Sequence, residues 1–213
     1  MNTSPRHSLR HTLAVMALAA VATFTTTACA PLVVGGAFVG GTLMLSDRRT
    51  SGAQVEDQAI ELKATNRLKD ALGERGHINV TSYNRVVLLT GEVPDEAART
   101  LAEQTASKVD NVRSIVNELA VMGSSSLTAR SNDAIITSKV KATFVDDKDL
   151  LANTFKVVTE RSTVYLMGRV TEREAARGTE LARSVSGVQK VVKVFEIITE
   201  AELAEMTPKE GKK

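Results

Sequence analysis

The chain is poor in the residues that perform chemistry. Its 213 residues include one cysteine, three histidines and no tryptophan. A lone Cys29 excludes an intramolecular disulfide. His7 and His11 fall in the N-terminal leader, which leaves His77 as the histidine of the mature chain. Any Ser-His-Asp or Cys-His arrangement would have to use His77, at the edge of a predicted strand with no evident partner. A zinc site made of protein ligands needs more His and Cys than remain, so no metal and no cofactor are expected. The acids fall mostly at helix starts and on exposed faces, where solvated charge is the ordinary reading. The chain is therefore expected not to be an enzyme.

Aromatics make up 3% of the residues, too few for a platform on which bases stack. A charge excess is missing too. The formal net charge is +2 from 27 Lys and Arg against 25 Asp and Glu. Arg6 and Arg10 account for that surplus, so the chain after residue 28 is neutral. Sequence-independent nucleic-acid binding needs a basic excess, and nucleic acid is not an expected partner.

Long apolar runs are also lacking. Leu13–Phe24 is apolar over 12 residues, too short to span a bilayer. With the basic, polar stretch before it and Thr26-Thr27-Ala28-Cys29 after it, residues 1–28 read as a signal peptide. A Cys at the cleavage point is similar to the bacterial lipoprotein signal, in which the mature first Cys is lipidated. Thr26 stands where that signal usually has Leu. Ordinary cleavage after Ala28 is the alternative. Several buried acyl chains anchor stably where one does not. Ala30 in place of Asp implies, by the same likeness, sorting to the outer membrane. Residues 29–56 follow as a Gly-rich tether and a polar linker. Gly36 and Gly40 have the spacing that lets helices pack closely, but the apolar stretch around them is short for a span.

What the chain does have is a repeat. Ile78–Val121 and Phe155–Ile198 share one pattern. The first centre is Val86-Val87-Leu88-Leu89-Thr90-Gly91-Glu92-Val93; the second is Thr163-Val164-Tyr165-Leu166-Met167-Gly168-Arg169-Val170. The offset is 77 residues at the glycines and 76 at the closing strands. A long period present twice means two small domains, not a solenoid. Units of about 65 residues are marginal alone, so the two should pack on each other.

Each unit reads helix, strand, strand, helix, strand. In the first, Ile60, Ala64 and Leu68 form the stripe of a helix over 57–72. Ile78–Thr81 and Val86–Val93 make a hairpin around Asn84-Arg85. Gly91 inside a strand suggests a bulge or a close backbone approach. Pro94-Asp95-Glu96 starts the second helix, and Val112–Val121 closes the sheet. In the second unit, Asn132 or Asp133 caps a helix with stripe Ile136, Val140 and Phe144. A hairpin follows around Glu160–Ser162. Thr171 with Glu174 then has the spacing of a capping box. The predicted fold is α+β, each small three-stranded sheet covered on one face by two helices. The domains are placed at 57–122 and 132–199. A Gly/Ser linker lies at 123–131 and a disordered charged tail at 200–213.

Leu89-x-Gly91-x-Val93 with Val109-Asp110-Asn111-Val112, and Leu166-x-Gly168-x-Val170 with Val185-Ser186-Gly187-Val188, resemble the BON domain of bacterial envelope proteins. Gly91 and Gly168 are its structural glycines here. Ile78-Asn79-Val80-Thr81-x-Tyr83, Ser131-Asn132-Asp133 and Met167-Gly168-x-Val170-Thr171-Glu172-Arg173-Glu174-Ala175 extend the likeness to dual-BON outer-membrane lipoproteins. It covers about residues 29–199. The resemblance implies a non-enzymatic protein on the outer membrane that faces the periplasm and supports envelope integrity. It also implies anionic phospholipid binding by the first helix of the second domain, and an association with division sites. Periplasmic envelope or division proteins are the protein partners it implies.

The residues themselves allow that lipid role. Ile135 lies about 100° from the Ile136 stripe and neighbours Ser138, Lys139 and Ala142. Lys141 and Arg130 add charge nearby. An apolar wedge beside cations is how an interfacial helix meets anionic lipid. Two other readings stand beside it: Ile135 packing on the first domain with ordinary solvated lysines, and a protein-interaction scaffold in which the exposed helix binds a periplasmic partner. The first unit has Ala59 at the place of Ile135 and an acidic start, which predicts that the two copies have diverged.

Overall fold

The computed structural model describes residues 47–73 and 75–206. The stretch read as a signal peptide, Cys29 and the Gly-rich part of the expected tether lie outside the described residues. Leu43–Lys213 forms one compact unit. Among the described residues no helix is long and apolar enough to cross a membrane.

The first domain contains α1 (Ser51–Leu72), β1 (His77–Tyr83), β2 (Val86–Val93), α2 (Glu96–Ser107), β3 (Ser114–Asn117) and β4 (Ala120–Val121). The second contains α3 (Leu127–Asp146), β5 (Lys156–Glu160), β6 (Thr163–Val170), α4 (Glu172–Ser184), β7 (Lys190–Ile197) and α5 (Glu200–Met206). In both sheets the middle strand pairs antiparallel with its hairpin partner and parallel with the closing strand. The closing strand of the first domain is split, β3 and β4 both pairing with β2. The fold is the expected α+β arrangement, twice.

Each hairpin turns through two residues with positive φ: Asn84 and Arg85 at 48° and 68°, Arg161 and Ser162 at 51° and 58°. Two successive left-handed residues match the twist of the flanking strands.

The two helices of each domain cover one sheet face. Ile60, Ala64 and Leu68 of α1 and Ala98, Ala102 and Ala106 of α2 meet Val87 and Leu89 of β2. In the second domain, Ile136, Val140 and Phe144 of α3 meet Val164 and Leu166 of β6. Phe155 sits edge-on between Phe144 and Phe195, with centroids 5.2 and 5.8 Å away. The opposite sheet faces pack against each other. Tyr83 and Leu88 of one domain and Tyr165 and Met167 of the other make a third buried cluster. The middle strands are thus buried on both faces, which is why they read as near-continuous apolar runs. Burying a side chain such as Met167 is worth about 1.5–3 kcal/mol.

The element boundaries differ from the sequence reading at three places, each with a local cause. The stretch read as a polar linker before residue 57 is ordered. Thr50 caps α1 by accepting from the Ala53 N–H at 3.1 Å. Before it, Arg49 bridges Asp47 and Asp57 at 2.7 and 2.8 Å and stacks on Tyr83, 4.2 Å from the ring centroid. Arg48 reaches across to Glu174 of α4 with two bonds of 2.7 Å. Second, Ser126 caps α3, so the helix starts at Leu127, ahead of Asn132, and takes in part of the linker read at 123–131. Third, Glu200–Met206 of the tail read as disordered is helical. Thr199 and Glu202 cap it reciprocally: Thr199 N–H donates to the Glu202 carboxylate at 2.7 Å and Glu202 N–H to Thr199 Oγ1 at 3.1 Å. Residues 207–213 lie outside the described residues.

Candidate functional site

Helix α3 is apolar on both sides. At about 100° per residue, Ile136, Val140 and Phe144 form one stripe, and they are buried in the domain core. Opposite them runs a second stripe exposed to solvent. Leu127 is 80% exposed, Ile135 53% and Val145 70%. Ser138, Lys139, Lys141 and Ala142 are exposed as well. Ile135, Ser138, Lys139 and Ala142 share the centre and one side of this outward face. Lys141 and Arg130 lie along its other side.

Ile135 belongs to none of the three buried clusters. Among the described residues neither Lys139 nor Lys141 forms an ion pair. Arg130 is half-buried, its Nε donating to Ser125 Oγ at 3.2 Å. Thr137 Oγ1 meets Thr159 Oγ1 at 2.7 Å and ties the inner flank of α3 to β5. Asp146 closes the basic stretch at the helix end. Leu127 and Val145 were missed in the sequence because one precedes the expected helix start and the other follows the core stripe. The signal for Leu127 was Ser126, a capping residue read as linker.

Asp133 does not cap α3. It is 5% exposed, and its carboxylate accepts the Arg161 and Ser162 N–H groups at 2.8 Å each. Asp57 of α1 is 1% exposed and holds the first hairpin in the same way. It accepts from the Asn84 and Arg85 N–H groups at 2.7 and 2.8 Å and from Ser82 Oγ at 2.7 Å. Burial pushes the Asp57 carboxyl up, but the bonds from Ser82, Arg85, Arg49 and Asn84 outweigh it and hold the group below its ordinary value. Glu61, on the same helix, accepts the Ser82 N–H at 2.8 Å and pairs with Lys156 of the second domain at 2.7 Å. The acids at the start of α1 are engaged in packing, whereas α3 keeps free cations on its outer face.

Gly91 and Gly168 serve close backbone approach. A β-carbon at Gly91 would overlap the His77 carbonyl oxygen, and Gly91 also has φ +110°. A β-carbon at Gly168 would stand 2.5 Å from the Thr154 carbonyl oxygen. Two further carboxylates lie near the domain junction. Burial raises the Glu160 carboxyl above its ordinary value, against a bond from Asn79, and the nearby Glu92 adds to the rise. For Glu174 burial acts in the same sense, but Arg48 and the Thr171 N–H outweigh it and hold the group low.

Comparison with known proteins places these features in a family. The BON domain model matches residues 56–123 and again 132–199. The chain is 36% identical over 172 residues to the outer membrane lipoprotein DolP of Haemophilus influenzae, covering 80% of this chain and 89% of that one. It is 36% identical over 154 residues to a 21 kDa hemolysin of Actinobacillus pleuropneumoniae, covering 71% and 79%. It is 29% identical over 144 residues to the osmotically-inducible protein Y of Escherichia coli, covering 66% and 72%. Two matches to one model, together covering more than half of the chain, establish that the chain belongs to the BON-domain family.

Proposed function

We propose that this protein is a lipid-anchored, outer-membrane protein facing the periplasm that binds anionic phospholipid through α3 of its second BON domain. In that role it supports envelope integrity, with division sites as a place of action, and it carries out no reaction. The observation that carries the reading is the outward face of α3. Apolar side chains at Leu127 and Ile135 stand exposed between Lys139 on one side and Lys141 on the other. An interfacial helix needs apolar residues to enter the headgroup boundary and cations to meet anionic lipid. Each cation near such a surface contributes about 1 kcal/mol, which gives weak binding by itself. Acyl chains on Cys29 would supply residence at the membrane, and α3 would supply lipid choice. The similarity to an outer membrane lipoprotein supports the location.

Co-sedimentation of the compact fragment 43–213 with vesicles tests this. Phosphatidylglycerol-containing vesicles are compared with phosphatidylcholine vesicles, and the wild type with Ile135→Asp/Lys139→Glu. Binding to the anionic vesicles alone, weakened at least tenfold in the double variant, is expected. Equal binding by the two proteins, or none to either vesicle, would remove α3 as a lipid site and leave a protein-interaction scaffold as the better reading.

A further inference from the structure

His77 opens β1 and Glu92 closes β2, and the two face each other in the strand register. His77 Nδ1 is 3.7 Å from Glu92 Oε2. Glu92 is 1% exposed, and its Oε1 is buried with no hydrogen-bond partner. His77 Nδ1 is a second buried atom with none. Glu160, at the end of β5 in the other domain, completes the group: one donor atom from each of the three side chains lies within 4.8 Å of the others. A buried carboxylate oxygen and a buried ring nitrogen without partners are costly, and among the described residues neither Glu92 nor Glu160 pairs with a Lys or Arg.

We propose that His77, Glu92 and Glu160 bind one divalent transition-metal ion, with zinc as the fitting species, and that this ion fastens the two BON domains together. Imidazole nitrogen and carboxylate oxygens are zinc donors at about 2.0–2.2 Å, which separates donors in a tetrahedron by roughly 3.4 Å. The His77–Glu92 pair is already near that spacing, and Glu160 offers a donor atom within 4.8 Å of both. An imidazole ligand disfavours magnesium and calcium, which select oxygen. The carboxylates are already oriented from behind. Ser125 N–H donates to Glu92 Oε2 at 3.1 Å, and Asn79 Nδ2 to Glu160 Oε2 at 2.8 Å. Hydrogen bonds of this kind to the ligand side chains hold them aimed at a metal. Gly91 contributes by letting the His77 backbone lie against it.

The repeat argues that the cluster is not a demand of the fold. At the 77-residue offset, His77 corresponds to Thr154 and Glu92 to Arg169. Arg169 pairs with Glu196 at 3.1 Å, and the Thr154 hydroxyl donates to the Leu151 carbonyl at 2.7 Å. The second copy folds with neither metal-ligand residue at these positions. A count of His and Cys along the chain does not reveal such a site, because two of its three ligands are carboxylates and one of them, Glu160, comes from the other domain.

The test is calorimetric titration of zinc into the full-length protein in nonionic detergent after stripping with EDTA, with thermal melting read in parallel. The expected result is one zinc per chain, and a melting temperature raised by zinc. Both His77→Asn and Glu160→Gln should weaken binding at least tenfold and abolish the zinc-dependent rise, with melting in EDTA confirming that each variant is folded. Should one variant fail to fold, the other, in the opposite domain, decides. Absence of binding by the wild type would overturn the site. So would binding and a melting shift that persist in a folded variant, which would locate zinc elsewhere on the chain.

Discussion

The Asp133 carboxylate, in the first half of α3, accepts the backbone N–H of Ser162 at 2.8 Å. The same relation joins Asp57 to Arg85, also at 2.8 Å. In both copies a buried acid on the first helix secures a hairpin whose two turn residues are left-handed without being glycine. Left-handed backbone costs a residue with a β-carbon about 1–2 kcal/mol, and a charge-assisted bond to the turn offsets that cost.

Removing the acid should therefore destabilise the domain. Hydrogen bonds to charged groups contribute about 1.5–3 kcal/mol, so Asp133→Ala should cost about 2–3 kcal/mol in urea unfolding. Asp57→Ala should cost more, because it also leaves Arg49 without one of its two acidic partners. Ser162→Gly should stabilise by about 1 kcal/mol, since glycine adopts a positive φ without the β-carbon penalty. An unchanged urea midpoint in Asp133→Ala would show that the turn holds itself.

The two motif glycines should differ in severity. Gly91→Ala meets both a carbonyl overlap and an unfavourable φ of +110°, whereas at Gly168 the obstacle is the Thr154 carbonyl alone. Both should lose several kcal/mol, about the range for strain at a special backbone site with forced overlap. Gly91→Ala should be the worse of the two. Circular dichroism melts of both variants check the order, and equal melting temperatures would contradict it.

Acid should loosen the domain junction. The carboxyls of Asp57, Glu174 and Glu196 are all held below their ordinary values, the bonds of each outweighing its burial. Such groups bind protons more readily in the unfolded chain. Their stabilisation is present above the unfolded-state carboxylate range of about 4 and is lost as pH falls through the folded-state values. Glu160, raised by burial, acts in the opposite sense, one group against three. The urea midpoint should therefore fall between pH 5 and pH 3 (roughly the window set by those carboxylates). Asp57→Asn should flatten that fall, and a profile as steep as the wild type would assign the acid sensitivity elsewhere.

Much of this architecture could be read along the chain, and the rest could not, for identifiable reasons. Helix stripes, hairpin turns and the glycines that admit a close backbone are local patterns, and Ile60, Asn84 and Gly91 announce them. The unbroken run Val86-Val87-Leu88-Leu89 also carries the information that both faces of β2 are buried. Pairings between distant residues leave no such mark. Asp57 looks like a helix-start acid until its turn, 28 residues on, is in view. The Asp47-Arg48-Arg49 strap looks like a solvated linker, although Arg48 meets Glu174 126 residues away. Ser126 serves equally as linker or cap. His77 and Glu92 meet through the β1–β2 register, but Glu160 comes from the other domain, and only the sheet-on-sheet packing brings it to them.

The outward face of α3 offers a direct optical test. The chain has no tryptophan, so Ile135→Trp creates a single reporter at the centre of the proposed lipid contact. Ile135 is 53% exposed and touches no core cluster, so the replacement should leave folding intact. Indole favours the headgroup boundary because its ring is apolar and its N–H remains wet. The added apolar area should strengthen binding to anionic vesicles by about 1 kcal/mol, roughly fivefold. Its emission should shift to the blue with phosphatidylglycerol-containing vesicles. Raising salt should reverse the shift, because screening weakens the contribution of Lys139 and Lys141. Emission that stays at the wavelength of a solvated indole, with vesicles sedimenting the protein all the same, would place the membrane contact on another surface of the molecule.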